Sequence, residues 1–177
     1  ITCDFNVGTM MWCLAHVTQN KVFFFDEIVL ENVTTEDTIQ EVIRRYPEHK
    51  GAIIINGDAA GTFRNTQSEI DNYAIIVNAL RRYYSKNPIH VVIRSANPRI
   101  KHRITVWNNM VLDPKGQRRI IIDPKCKWLL YNMEELKYKP GTDIIDLPTH
   151  QNLRDDNEKR FLMHIFDAAS YLVERYF

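Results

Sequence analysis

Ala52-Ile53-Ile54-Ile55-Asn56-Gly57-Asp58 is a short, unbroken apolar run that closes on an acid, and its reading decides the architecture. Apolar residues without polar alternation are what a strand buried on both faces of a sheet requires. Helical patterns flank the run on either side. Upstream, Thr34 fits an N-cap, Glu36 and Asp37 place acids in the first turn, and Ile39, Val42, Ile43 and Tyr46 recur at helical spacing before Pro47 stops the helix. Downstream, Thr66-Gln67-Ser68-Glu69 fits a capping box that opens a second helix with Ile70, Tyr73, Ala74, Val77 and Leu80 on its apolar face.

Further out, residues 1–6, 10–18 and 21–30 read as strands rich in Val, Ile, Phe and Trp, joined by short turns at Val7-Gly8-Thr9 and Gln19-Asn20. Turns this short favour an antiparallel meander. After Asn87-Pro88, residues 89–93 form a fifth strand. Ile100, Ile104, Trp107 and Val111 mark a helix, 120–122 a short extended piece, and Trp128, Leu129, Met133 and Leu136 another helix. The polar stretch 140–157 is a loop before the final helix, which is expected to hold Asp167 near its middle. Three antiparallel strands followed by α-β-α-β-α is the order of an α/β, RNase H-like mixed sheet of about five strands flanked by helices, in a single domain over residues 1–177. That topology sets the ends of strands one and four side by side, with a late helix crossing above them.

The net charge of +1 over 177 residues conceals an asymmetry. Residues 94–139 hold eleven Lys and Arg against four acids, an excess of +7, so the remainder carries −6. A basic stripe beside an acidic pocket suits a nucleic-acid enzyme, because the stripe neutralises phosphates and the pocket holds metals. A solvated basic face is the plainer reading. Cys3, Cys13 and Cys126 are odd in number and lack CxxC spacing, which indicates neither a disulfide framework nor a zinc site, and Cys3 and Cys13, in apolar runs, read as small core residues in a reducing compartment. No signal peptide or long apolar run is visible, so a soluble, intracellular protein is expected. The opening on a buried strand suggests a domain cut from a longer polypeptide with its missing part upstream.

Three acids stand where apolar runs give out: Asp4, Asp58 and Asp167. Hard cations such as Mg²⁺ and Mn²⁺ want clustered carboxylate oxygens, and a pair of them can clamp the attacking and leaving oxygens of a phosphodiester. Taken singly, Asp4 and Asp58 read as well as turn residues. Asp167 lies among Phe161-Leu162-Met163-His164-Ile165-Phe166, where a carboxylate needs a partner. His164 shares its helix face and is a metal ligand, an orienting group or a satisfied core histidine. Of Asp26 and Glu27, alternation turns one inward, and Glu27 is a candidate fourth ligand, although an exposed edge pair is the simpler reading. The segments 4–9 and 57–62 also resemble phosphate loops of actin-like ATPases and sugar kinases, but those proteins need two such subdomains. No GxxxxGK[ST] loop occurs.

Four stretches together resemble the C-terminal nuclease domain of tailed-bacteriophage large terminases, which are DNA-packaging motor proteins. They are Asp4-Phe5-Asn6, Gly57-Asp58-Ala59-Ala60-Gly61, Asn97-Pro98-Arg99-Ile100-Lys101 through Asp123-Pro124-Lys125-Cys126-Lys127, and His164-Ile165-Phe166-Asp167-Ala168. The resemblance implies an endonuclease that cuts concatemeric double-stranded viral DNA, with Asp4, Asp58 and Asp167 binding two Mg²⁺ or Mn²⁺ ions and His164 auxiliary. It also implies DNA contacts from Arg64, Arg94, Arg99, Lys101 and Arg103, and an upstream packaging ATPase domain. Portal protein and small terminase subunit would be partners, in the cytoplasm of the infected bacterial host. Phe166 departs from the small or hydroxyl residue many members carry there, which puts the number of metals in doubt. A non-catalytic RNase H-like module binding DNA or a partner, and a Holliday-junction resolvase-like nuclease, remain as alternatives.

Overall fold

Side chains alternate along the three opening strands, β1 (Thr2–Phe5), β2 (Thr9–Val17) and β3 (Val22–Glu31), and the alternation builds two cores. Cys3, Trp12, Leu14 and Ile28 enter one, while Met11, Cys13, Val22 and Phe24 enter the other. The computed structural model describes residues 1–6, 8–63, 70–147, 159 and 161–177. β1 pairs with β2 and β2 with β3, both antiparallel, as the short turns require. β4 (Ile53–Gly57) lies parallel to β1, and β5 (Ile89–Val91) parallel to β4. β6 (Ile120–Ile122) lies parallel to β3, so among the described residues the sheet has six strands in the order β5-β4-β1-β2-β3-β6. The sixth strand is the short extended piece, whose three residues carry too little pattern to declare a partner.

Helices α1 (Thr35–Arg45) and α2 (Asn72–Tyr83) cover one face of the sheet. Helices α3 (Ile100–Val111), α4 (Lys127–Glu135) and α5 (His164–Tyr176) cover the other. Thr34 caps α1 as its sequence indicates, accepting from Asp37 N at 3.1 Å while Asp37 Oδ2 accepts from Thr34 N at 2.9 Å. The expected capping box at 66–69 lies outside the described residues. Asp71 caps α2 itself, its Oδ1 accepting from Ala74 N at 2.7 Å. Among the described residues, no helix is long and apolar enough to cross a membrane.

Two details differ from the sequence reading and bear on the site. The final helix begins at His164, so Asp167 sits in its first turn rather than near its middle. The chain enters α5 through Met163 at φ 82°, a backbone conformation that a side chain rarely adopts. The fully buried Asn132 holds this entry, its Oδ1 accepting from Met163 N at 2.8 Å and its Nδ2 reaching Phe161 O at 3.3 Å. The second detail is a register shift between Leu14 and Ala15, where Leu14 faces Asp26 and Ala15 faces Phe24. Asp26 and Glu27 face opposite sides by ordinary alternation, the bulge sets which side each takes, and both are buried instead of forming an exposed edge pair.

Gly57 is the contact on which the β1·β4 pairing turns. Its φ is 144°, and a Cβ there would stand 2.2 Å from Cys3 O and 2.7 Å from Cys3 N. The obstacle is strand backbone, which cannot step aside as a side chain could. Gly57→Ala is therefore expected to destabilise the fold by more than ~2 kcal/mol, read as a lowered urea midpoint. A midpoint equal to the parent's would show that β1 and β4 tolerate separation.

Candidate active site

The parallel register pairs Cys3 with Gly57, so the next residues, Asp4 and Asp58, stand at neighbouring strand ends. Asp58 N donates to Cys3 O at 2.9 Å, which closes this end of the ladder. Helix α5 is tied down beside them: the fully buried Thr2 hydroxyl donates to Ala168 O at 2.5 Å, with Asn56 Oδ1 at 3.3 Å. That tether sets the first turn of α5, with His164 and Asp167, next to the strand ends. Both strand-end acids are buried, Asp4 at 5% and Asp58 at 8% exposure.

Each carboxylate is engaged by protein groups. Asp4 Oδ2 accepts from Asn6 Nδ2 and lies 3.3 Å from His164 Nδ1. This contact with Asp4 raises the His164 pKa above the ordinary imidazole range, favouring the protonated ring. Asp58 Oδ1 accepts from Ala60 N at 2.7 Å and from Asn97 Nδ2 at 2.6 Å, while Asn97 Oδ1 accepts from Ala59 N at 2.8 Å. Asn97 thus grips both the carboxylate and the turn that follows it. Asp167 Oδ1 accepts from Arg103 Nη1 at 2.6 Å. Burial pushes the Asp167 carboxyl up to about 6, helped by the neighbouring Asp4 and opposed by Arg103 and His164.

The donor chemistry suits a hard divalent cation, since three carboxylates and an imidazole are gathered from three elements. Asp58 and Asp167 use only Oδ1 in the hydrogen bonds named above. Among the described residues, however, no group of three His, Cys, Asp or Glu side chains is already arranged to hold an ion. The side chains are turned toward Asn6, Asn97 and Arg103, and the residues fit a metal as a set that must exchange some of these partners for it.

Glu27 does not join them. Its Oε1 accepts from Trp128 N at 2.7 Å and its Oε2 from Leu129 N at 3.0 Å, so it caps the start of α4. Asp26 faces the other way, accepting from Tyr46 OH at 2.6 Å and pairing with Arg45 at 3.2 Å. Of the expected DNA-facing cations, Arg64 lies outside the described residues. Arg99 is exposed, and so is Lys101, which pairs with the exposed Asp143. Arg94 binds Glu174 through Nε and Nη2 at 2.7 and 2.8 Å.

Arg103 corrects the sequence reading. It is 5% exposed and its guanidinium points at Asp167, so it is removed from the expected phosphate contacts. Its place was detectable, because residues 103, 107 and 110 share one helical face and Trp107 and Met110 are core. Asn97 and Ser170 carry no such signal, since their partners are distant in sequence. A separate cavity of about 520 Å³, lined by Ile1, Leu14, Ile53, Leu80 and Tyr84, opens near the starts of β1 and β4, at the other end from the acids.

The raised Asp167 carboxyl links stability to pH. Its folded-state pKa of about 6 exceeds the ordinary value of 3.8, so the folded protein holds this proton more tightly. The associated stabilisation is fully present below the ordinary value and is lost as pH rises through about 6. In the presence of EDTA, the parent is expected to lose up to ~3 kcal/mol relative to Asp167→Asn between acid and neutral pH, measured by urea unfolding. A difference that stays constant with pH would show that Asp167 does not titrate in this window.

No family model matches the chain, and no curated protein matches it. Among solved structures, the large terminase of a thermophilic bacteriophage aligns in one crystal form at 13% identity with a TM-score of 0.58, covering 97% of this chain. A second crystal form gives 12% identity and a TM-score of 0.54. This chain spans only 37% of the first and 38% of the second of those two terminase chains. The nuclease domain of the bacteriophage SPP1 large terminase, with bound Mn, aligns at 16% identity with a TM-score of 0.52, covering 99% of this chain and 86% of that one. The six-stranded mixed sheet, its flanking helices and these alignments give one conclusion: the chain has the fold of a phage large-terminase nuclease domain.

Proposed function

We propose that the chain works as a terminase nuclease domain, a metal-dependent endonuclease that cuts concatemeric double-stranded viral DNA at the start and end of packaging. The observation that carries this reading is the assembly of Asp4 and Asp58 on adjacent strand ends with His164 and Asp167 on the helix beside them. Bound manganese in the SPP1 nuclease domain supports a divalent ion as the partner of these acids. In a full-length protein the domain would follow a packaging ATPase domain and work with portal protein and small terminase subunit in the host cytoplasm.

Asp4, Asp58 and Asp167 are the residues that would hold Mg²⁺ or Mn²⁺, two ions in the fullest arrangement. When bound, such ions supply Lewis acidity to the scissile phosphate and acidify a coordinated water. The protein's own contribution is preorganisation. Asn97 fixes Asp58 by its Oδ1, and Thr2 fixes the helix that carries Asp167. Burial of the strand-end acids lowers the local dielectric and strengthens their hold on cationic partners. His164, anchored through Nδ1 to Asp4, keeps Nε2 for water or a phosphate oxygen. Arg64, Arg99 and Lys101, with the half-exposed Arg94, would meet backbone phosphates, which positions DNA without reading its sequence.

That every acid is already held by a protein group favours one second reading, a non-catalytic RNase H-like module that binds DNA or a partner. Supercoiled plasmid incubated with Mn²⁺, Mg²⁺ or EDTA separates the two. Metal-dependent nicking and linearisation are expected, and Asp58→Asn should lower the rate by at least about 100-fold with an unchanged circular dichroism spectrum. Absence of both cleavage and Mn²⁺ binding would establish the non-catalytic module, and preference for four-way junctions would make the enzyme resolvase-like. Lys101→Ala is expected to weaken DNA binding and reduce the salt slope by roughly one unit. A slope equal to the parent's would take Lys101 off the DNA path.

A further inference from the structure

Two of the three acids are held by one stretch of chain. Asn97 grips Asp58, and Arg103, on the first turn of α3, grips Asp167. The two contacts differ in kind. Asn97 is neutral, bonds one oxygen and stabilises the turn after Asp58. Arg103 brings a full positive charge into the interior, where an ion is expensive unless paired.

The surroundings of Arg103 fit it closely. Nη1 donates to Asp167 Oδ1 and Ser170 Oγ, each at 2.6 Å, and the guanidinium lies 4.3 Å from the centre of the Tyr171 ring. Its Nε is buried with no hydrogen-bond partner among the described residues. A guanidinium retained with one donor unsatisfied points to a role for its charge rather than for its hydrogen bonds alone.

We infer that Arg103 is a positioning residue that serves as a built-in cation on Asp167, holding the carboxylate a divalent ion would take, so that metal occupancy depends on displacing this guanidinium. The inference rests on the metal-dependent reading above. Arg103 lowers cation affinity in two ways, by occupying Oδ1 and by repelling a second positive charge. A neutral replacement should therefore tighten metal binding, whereas loss of the Asn97 grip on Asp58 should weaken it. Opposite signs from neighbouring positions are not what general loosening of the fold produces.

Calorimetric titration with Mn²⁺ tests this in the parent, Arg103→Gln, Arg103→Lys and Asn97→Ala, each checked by circular dichroism. Arg103→Gln is expected to bind about tenfold more tightly, the size of effect a neighbouring charge exerts on a carboxylate. Arg103→Lys, which keeps the charge, should stay near the parent, and Asn97→Ala should bind more weakly. Equal or weaker binding by folded Arg103→Gln overturns the inference while leaving the metal reading intact. No Mn²⁺ binding by the parent or any variant overturns the metal reading itself.

A second measurement needs no neutral variant, in case Arg103→Gln does not fold. In nitrogen-15 spectra of the parent, the Arg103 side-chain signal, identified by its loss in Arg103→Lys, should move as Mg²⁺ is added. A stationary signal at saturating Mg²⁺, with binding established calorimetrically, would overturn the displacement.

Discussion

The close approach of β4 to β1 at Gly57 is the constraint from which the site follows. A backbone without a Cβ lets the strand lie against Cys3, and Asp58 N then reaches Cys3 O at 2.9 Å. The register leaves the next residue of each strand, Asp4 and Asp58, at the same edge of the sheet. Thr2 on β1 also anchors α5 through Ala168 O, so one short strand sets the position of both its neighbour and the helix beside it. A displacement of β1 would disturb all three acids together.

Charge is arranged around that frame in two layers. Within it, His164 and Arg103 face Asp4 and Asp167, while the neutral amides of Asn6 and Asn97 hold Asp4 and Asp58. Outside it, Arg99 and Lys101 remain exposed, with Arg94 half committed to Glu174. The same segment therefore supplies both an internal counter-cation and surface cations, and burial alone separates their roles. Salt should screen the outer set strongly and the inner pair little.

The chain reveals elements through period and punctuation, and those parts were legible. Alternation in β2 and β3, the helical spacing of α1 with its Thr34 cap, and the apolar run of β4 each declare themselves locally. The acids at strand ends were legible for the same reason, since an apolar run that stops on Asp marks both an edge and a charge. The β3 bulge was not, because a one-residue slip depends on the partner strand, and it sets which face takes Asp26 and which takes Glu27. Arg103 was half legible: its helical face pointed inward, but a basic residue in a basic stretch reads first as surface.

By itself the sequence determined the order of strands and helices, the identity of the strand-end acids and the concentration of positive charge over residues 94–139. These are local properties, written in the spacing of side chains along the backbone. The tertiary structure alone decided which groups those acids face. Asp167 meets Arg103 across 64 positions, Asp58 meets Asn97 across 39, and Glu27 caps a helix more than 100 residues away. Such partners are chosen by the packing of α3, α4 and α5 on the sheet, and no period in the sequence encodes a distance through space.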